Sequence, residues 1–229
     1  MVEKKILTCE QAAALIKPGQ VVMVGGFMGC GSPPELLKCL KEAGTKDLTL
    51  VCNDCGWYIP AKGMVNGVAE NVLEKQFSRV ITSHIGLNSE MQRQMLEGET
   101  TVELTPQGTL AEKIRAAGCG LGGFLTPTGV GTEVENGKMV LEYEGRKYLL
   151  EHPIKGDVAL LHASVADKAG NLLYPRSAQN FGPLMAMACE TVIVQADKIV
   201  EIGELDPEAV ITPSIFVNYL VKTENVEGK

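Results

Sequence analysis

Short apolar strands alternate with helical segments through most of the chain. The predicted strands are residues 21–24, 48–52, 79–83, 101–104, 157–162 and 191–194, and the predicted helices are residues 33–42, 69–75, 89–96 and 109–117. Strands that are apolar throughout and separated by helices are typical of parallel sheets covered on both faces. The alternation therefore predicts an α/β fold with an open, mostly parallel sheet and helices on both faces.

Two segments interrupt this alternation. Residues 138–143 and 147–151, joined at Gly145, predict a β-hairpin added to the α/β body. The glycine-rich stretch 118–131 shows no period and is predicted to be a long loop. Because 45% of the 229 residues are hydrophobic, enough to fill a sizeable core, we expect a single domain over residues 1–229.

The charge and the apolar runs of the chain exclude several classes of function. The sequence has 21 Lys and Arg against 28 Asp and Glu, a net charge of −7, and no basic run that could follow a nucleic-acid backbone. It has no apolar leader and no apolar run near the roughly 20 residues that span a bilayer. We therefore expect a cytoplasmic protein that binds neither nucleic acid nor a membrane.

The cysteines do not form a recognisable framework. Seven are scattered along the chain, an odd number that is typical of reduced thiols. Cys52 and Cys55 have Cys-x-x-Cys spacing, but no second pair exists and the nearest histidine is His84. Because a zinc site needs four ligands, we expect no metal site and an inert pair of thiols.

A glycine loop, residues 25–32, lies between the first long apolar strand and a helix that Ser32 is predicted to cap. Glycines at 25, 26, 29 and 31 allow close approach to the backbone, whose N–H groups favour an anionic or carbonyl oxygen. Pro34 breaks the Gly-x-Gly-x-x-Gly motif of dinucleotide sites, and no Gly-Lys-Ser/Thr follows as in a P-loop. A binding loop and a simple tight turn are the two interpretations left.

The run Val22-Met-Val-Gly-Gly-Phe-Met-Gly-Cys-Gly-Ser-Pro33 resembles the α-subunit signature of the family I CoA-transferases, which reads three apolar residues, Gly-Gly-Phe, three residues and Gly-x-Pro. Further segments resemble the same α subunits and extend the resemblance to nearly the whole chain: 104–115, 124–132, 170–172 and 177–181. Two positions depart from the pattern. Pro18 stands where the family usually has Asp or Asn, and Gln179 stands where it usually has Arg.

This resemblance implies the CoA-transferase fold and an enzyme that moves CoA between an acyl-CoA and a short-chain carboxylic acid through a glutamyl-CoA thioester. The implied acids are acetate, butyrate and acetoacetate, with succinyl-CoA:3-oxoacid or 3-oxoadipate transfer as the alternative. CoA is then a substrate, and no tightly bound cofactor is implied. Outside this class, a nucleotide-dependent oxidoreductase and a non-catalytic acyl-CoA or nucleotide-binding module are the alternatives.

The family's reactive glutamate lies in a Ser-Glu-Asn-Gly motif of a β subunit, and this sequence lacks the motif. The resemblance therefore implies activity only with a β subunit, in an α2β2 or α4β4 assembly. Glu135, in Val-Glu-Asn-Gly, imitates the motif without its serine and precedes a predicted hairpin strand, so we interpret it as a turn residue.

The resemblance also assigns roles within this chain. Gln107 matches a glutamine whose side-chain amide donates to the tetrahedral oxyanion, and the alternative role is capping a helix. The substrate and CoA pocket is assigned to the residues of the glycine loop: Gly25, Gly26, Phe27, Met28, Gly29, Cys30 and Gly31. His162, in an apolar strand, is predicted to be a core residue.

Overall fold

Strands and helices alternate in the computed structural model, which describes residues 2–224. The strands are β1 (Lys5–Leu7), β2 (Val21–Val24), β3 (Leu48–Asp54), β4 (Tyr58–Ile59), β5 (Met64–Val65), β6 (Phe77–His84), β7 (Thr101–Leu104), β8 (Phe124–Thr126), β9 (Val140–Tyr143), β10 (Arg146–Glu151), β11 (Gly156–Asp167), β12 (Leu172–Leu173), β13 (Cys189–Val200) and β14 (Tyr219–Lys222). The helices are α1 (Cys9–Ala13), α2 (Pro34–Ala43), α3 (Ala69–Leu73), α4 (Ser89–Leu96), α5 (Gln107–Gly118) and α6 (Gly182–Ala188).

A nine-stranded sheet organises these elements. Its order is β1-β14-β13-β11-β2-β3-β6-β7, and all neighbouring pairs are parallel except the short β12 beside β11. From β2 the chain proceeds through β3, β6 and β7 in one direction, and from β11 it proceeds through β13 and β14 in the other. The boundary between β2 and β11 is therefore a topological switch point, beyond whose carboxyl ends open α/β sheets bind ligands.

Apolar side chains of the strands alternate between the two faces of the sheet. In β2, Val22 and Val24 join the core on one face, whereas Met23 joins the core on the other. Helices α1 to α4 cover the first face and α5 and α6 the second, through residues that include Ala12, Leu40, Val72 and Met91 on the first and Leu110, Ile114 and Met185 on the second. The predicted α/β architecture is confirmed.

The start of α2 is stabilised by a distant strand. The prediction that Ser32 caps this helix is wrong, because Pro33 is the cap residue and no local side chain accepts a hydrogen bond. Instead, Oε1 of Gln195 in β13 accepts from the backbone N–H groups of Glu35 and Leu36, at 3.0 and 3.3 Å. A long-range contact thus satisfies the donors that a local cap would otherwise satisfy.

A small three-stranded sheet of order β8-β10-β9 is attached to the main body. It contains the predicted hairpin, but the prediction that residues 118–131 form only a loop is wrong, since they include β8. A strand of three residues is too short to show a period in the sequence. Buried Glu151 ties this sheet to α5, because its carboxylate lies 3.4 Å from Nζ of Lys113 and 2.5 Å from Nζ of Lys138.

Candidate active site

The glycine loop leaves the carboxyl end of β2 at the switch point of the sheet. Phe27 and Cys30 exchange two backbone hydrogen bonds of 2.9 Å, which fold the loop into a tight turn. At Gly31, φ is +78° and an added Cβ would lie 2.3 Å from the carbonyl oxygen of Ala178. Glycine is required there because the loop packs directly against the Ala178 backbone.

Polar side chains from distant parts of the chain fasten the loop. Oδ1 of Asn180 accepts from the Gly26 N–H at 3.0 Å. Oδ2 of Asp54 accepts from the Met28 N–H at 2.8 Å, and Nδ2 of Asn66 donates to the Met28 carbonyl at 3.1 Å. These bonds hold Met28 at φ +49°, an uncommon value for a residue other than glycine. The loop is therefore ordered by the protein itself.

Most backbone N–H groups of the glycine loop are occupied within the chain. Among the described residues of this loop, only Gly29 and Gly31 have N–H groups that donate to no protein acceptor. Any binding of a ligand oxygen by the loop backbone is therefore concentrated at these two positions.

The predicted pocket residues face three spaces of different size. Gly29, Cys30 and Gly31 line a cavity of 810 Å³, Phe27 and Cys30 line one of 510 Å³, and Gly25, Gly26 and Gly29 line a small space of 10 Å³. Met28 belongs to none of these linings, and the two larger cavities share Arg176 and Ser177. The smallest space holds about one water molecule, so only the outer part of the loop faces room for a substrate.

Gln107 is the first residue of α5, which begins just beyond the carboxyl end of β7. Its side chain is exposed, and Nε2 donates to Oδ1 of Asn53 at 2.9 Å. It does not cap the helix, because Pro106 occupies the cap position and no side chain accepts from the first turn. An amide nitrogen carries two protons, so the second N–H of Gln107 can donate to another group.

Glu135 and His162 lie outside this arrangement in different ways. Glu135 ends the 3₁₀ turn Glu133–Glu135, and its Oε2 accepts from the Gly131 N–H at 2.6 Å, in agreement with a turn role. His162 is mostly buried, with 13% of its side chain exposed, and Nε2 lies 2.8 Å from Oδ1 of Asp197 on the wall of the 810 Å³ cavity. The apolar run of β11 gave no sign that this side chain reaches a cavity.

Cys52 and Cys55 lie beneath the glycine loop and are both buried. Burial is the main cause that raises the pKa of the Cys52 thiol well above its usual range. A protonated, enclosed thiol reacts poorly, which agrees with the expected inert role.

Sequence reasoning missed the polar side chains that connect this site. Asn53 and Asp54 end β3, and polar residues at the end of a strand beside β2 are a signal for the ligand-binding edge of such a sheet. Asn66 lies in a connection and gave no comparable signal, and Asn180 lies in the segment 177–181, whose resemblance to the family assigned it no role. Their partners in the glycine loop become visible only in the folded chain.

Two classes of site are absent from residues 2–224. No group of three or more His, Cys, Asp or Glu side chains is placed to hold a metal ion there. Over the same residues, the helices are too short or too polar to cross a bilayer.

The sequence matches one protein-family model and is similar to several known proteins. A family model described as coenzyme A transferase matches residues 6–223. The alpha subunit of the acetate CoA-transferase of Escherichia coli strain K12 is 44% identical over 220 residues, which cover 96% of this chain and 97% of that protein. A protein of Bacillus subtilis strain 168, named as one subunit of a probable succinyl-CoA:3-ketoacid coenzyme A transferase, is 44% identical over 95% of this chain and 89% of its own length.

The fold is shared with solved structures at lower identity. An acyl-CoA transferase of Escherichia coli O157:H7, solved as a thioester complex with CoA, superimposes with a TM-score of 0.84 at 19% identity. The match covers 96% of this chain and 47% of that one, so this chain spans about half the length of the solved protein.

Proposed function

This chain belongs to the coenzyme A transferase family, and we propose that it is the α subunit of an enzyme that transfers CoA from an acyl-CoA to a short-chain carboxylic acid. The observation that carries the proposal is the exposed amide of Gln107, which Asn53 holds at the carboxyl edge of the sheet with one N–H proton free. A preorganised amide donor is suited to a carbonyl oxygen that becomes negatively charged.

The nucleophile in this proposal is a glutamate of a β subunit. The sequence contains no Ser-Glu-Asn-Gly motif, and the Glu135 carboxylate is held by its own turn. The partner's carboxylate attacks the carbonyl carbon of the acyl-CoA thioester, and the carbonyl oxygen becomes an oxyanion. When the carbonyl reforms, the bond to sulfur breaks, and the products are CoA thiolate and an acyl-glutamyl anhydride.

The second half of the exchange uses the same groups. The thiolate attacks the glutamyl carbonyl of the anhydride, which releases the first acid and leaves a glutamyl-CoA thioester. The second acid then reverses both steps and leaves as its CoA ester. Each attack places negative charge on a carbonyl oxygen, and a donor in the position of Gln107 typically contributes a factor of about 10²–10³ to the rate.

We assign the pocket for the acyl group to the outer part of the glycine loop. Cys30 and Gly31 offer small walls to the 810 Å³ cavity, and the free N–H groups of Gly29 and Gly31 can donate to a substrate oxygen. Met28, Gly25 and Gly26 support this surface from below in the proposal, since they face no large cavity.

The acids proposed for the exchange are acetate, butyrate and acetoacetate. The support is the likeness to the acetate CoA-transferase of Escherichia coli. A succinyl-CoA:3-oxoacid or 3-oxoadipate exchange is the second candidate, because a relative with a succinyl-CoA name is equally identical. The proposal also places the enzyme in the cytoplasm, as an α2β2 or α4β4 assembly.

The test is to measure transfer by the chain alone and by the chain co-expressed with a β subunit that carries the Ser-Glu-Asn-Gly motif. We expect transfer only from the complex, with acetate or butyrate as acceptor. Borohydride reduction of the complex after addition of an acyl-CoA, followed by peptide mapping, should mark a glutamate of the β subunit. Full activity of the isolated chain, or reduction of Glu135, would contradict the split site.

A further inference from the structure

We propose that Asp54 is a positioning residue that fixes which way the amide of Gln107 points. The inference rests on the proposed role of Gln107 as an oxyanion donor. Neither the glycine-loop signature nor the Gln107 segment includes Asp54, which ends β3 on an adjacent strand.

The side chain of Asp54 accepts three hydrogen bonds. Oδ2 accepts from the backbone N–H of Met28 and from Nδ2 of Asn53, each at 2.8 Å, and Oδ1 accepts from the backbone N–H of Gly56 at 2.9 Å. Across residues 2–224, no Lys, Arg or His forms an ion pair with this carboxylate. Its charge is therefore stabilised by N–H donors alone, which fix its orientation.

An ionised carboxylate can only accept hydrogen bonds, so Asp54 determines how the side-chain amide of Asn53 is oriented. Asn53 must turn its Nδ2 toward Asp54, so its Oδ1 faces the opposite side, where Gln107 lies. The hydroxyl of Ser83 lies 3.5 Å from the same oxygen and donates at 2.6 Å to the Asn53 carbonyl. Asn53 is itself buried, so it cannot exchange this arrangement for contacts with water.

The side-chain oxygen of Asn53 in turn determines the orientation of the Gln107 amide. Because Oδ1 of Asn53 can only accept, Gln107 must present Nε2 to it at 2.9 Å. The second proton of the same nitrogen has no acceptor among residues 2–224, so it is left for a substrate oxygen. If the Asn53 amide could rotate, its Nδ2 could face Gln107, and the Gln107 amide could then turn over. The Gln107 oxygen would face the substrate instead of the N–H group and would repel the developing oxyanion.

Asp54 also connects Gln107 to the glycine loop. The same Oδ2 that orients Asn53 holds the N–H of Met28, whose φ of +49° is strained for a non-glycine residue. One carboxylate thus sets both the donor and the loop that shapes the pocket. A variant at Asp54 must therefore be compared with one that loosens only the loop.

The experiment is a double-mutant cycle on the enzyme co-expressed with its β subunit. Gln107→Ala should lower kcat by about 10²–10³. Asp54→Ala should lower kcat by roughly 10–100, since misplacing a catalytic group costs up to about 10². Its change in KM for the acyl-CoA should be no larger than that of a variant that loosens only the loop. In the Gln107→Ala background, Asp54→Ala should cost no more than the loop contribution alone.

Asn66→Ala measures that loop contribution, because Asn66 also binds Met28 but does not contact Asn53 or Gln107. Asn66→Ala should lower kcat by the same factor in the wild-type and in the Gln107→Ala background. Asp54→Asn, which keeps the shape, should retain more activity than Asp54→Ala and serves if the alanine variant does not fold. If Asp54→Ala lowered kcat by the same factor with and without Gln107, the inference would be overturned. An inactive wild-type complex, or a Gln107→Ala variant with unchanged kcat, would overturn the proposed function instead.

Discussion

Single backbone positions decide how closely the glycine loop packs against its neighbours. Gly31→Ala would place a Cβ 2.3 Å from the Ala178 carbonyl at a φ of +78°, so the backbone must shift. We expect a loss of about 1–3 kcal/mol in unfolding free energy. We also expect kcat/KM to fall at least about tenfold, because Arg176 and Ser177 on the cavity wall would move with Ala178. Urea unfolding and steady-state kinetics of the complex check both.

Gly44→Ala is the matched control for this substitution. Gly44 also has a positive φ, +67°, but no atom lies within 4 Å of its added Cβ, and it ends α2 and lines none of the three spaces beside the glycine loop. It should lose about 1 kcal/mol of stability from backbone strain and retain its kcat/KM. If Gly31→Ala behaved like Gly44→Ala, the close packing at Ala178 would have no part in shaping the site.

At the scale of elements, the small sheet depends on a buried carboxylate for its attachment to α5. Glu151 is 1% exposed, and Lys113 and Lys138 both reach it. Glu151→Gln would leave the largely buried Lys113 ammonium without this partner, so we expect a loss of about 3 kcal/mol in unfolding free energy. Faster hydrogen exchange in β8 to β10 would show that the sheet is released.

Glu42→Gln provides the comparison for Glu151→Gln. Glu42 pairs with Lys38 at 3.9 Å on the open surface of α2, with side chains 55% and 67% exposed. Exposed pairs contribute about 0–1 kcal/mol, so this variant should unfold almost like the wild type. Equal losses for the two variants would mean that burial of Glu151 does not determine its contribution.

The elements themselves differ in how well the sequence predicts them. The inner strands β2, β3, β6, β11 and β13 were predictable, because each contributes side chains to both cores and is therefore mostly apolar. The short β8 and the cap of α2 were not, because β8 depends on pairing with β10 and the cap depends on Gln195 from β13. Local patterns contain no information about such partners.

At the scale of the whole molecule, the proposed site also combines local sequence motifs with long-range contacts. The glycine loop and Gln107 could be proposed as site residues from the sequence, because their motifs are continuous in it. The hydrogen bond from Gly26 to Asn180 spans 154 residues, and that from Gln107 to Asn53 spans 54, so the connections among the motifs arise only from the order of the strands. The sheet topology, which brings β2 between β11 and β3, creates those connections.

The proposed site lies at the carboxyl edge of the main sheet, and the labelling of two exposed cysteines can test this. Cys30 lies in the glycine loop at the carboxyl edge, whereas Cys119 follows α5, whose 12 residues carry the chain about 18 Å back from that edge. Cys39, Cys52 and Cys55 are buried, and burial raises the pKa of the Cys9 and Cys189 thiols, which keeps them protonated near neutral pH. Native enzyme should therefore react with a maleimide mainly at Cys30 and Cys119.

The two sites should respond differently when substrate binds to the complex. If the outer glycine loop lines the acyl pocket, a saturating acyl-CoA should slow labelling of Cys30 at least about tenfold, as expected when a ligand buries most of its surface in a site. Labelling of Cys119 should not change, and peptide mass spectrometry distinguishes the two. Equal labelling of Cys30 with and without acyl-CoA would place the acyl group elsewhere on the carboxyl edge, because the loop would still be open to a reagent of similar size.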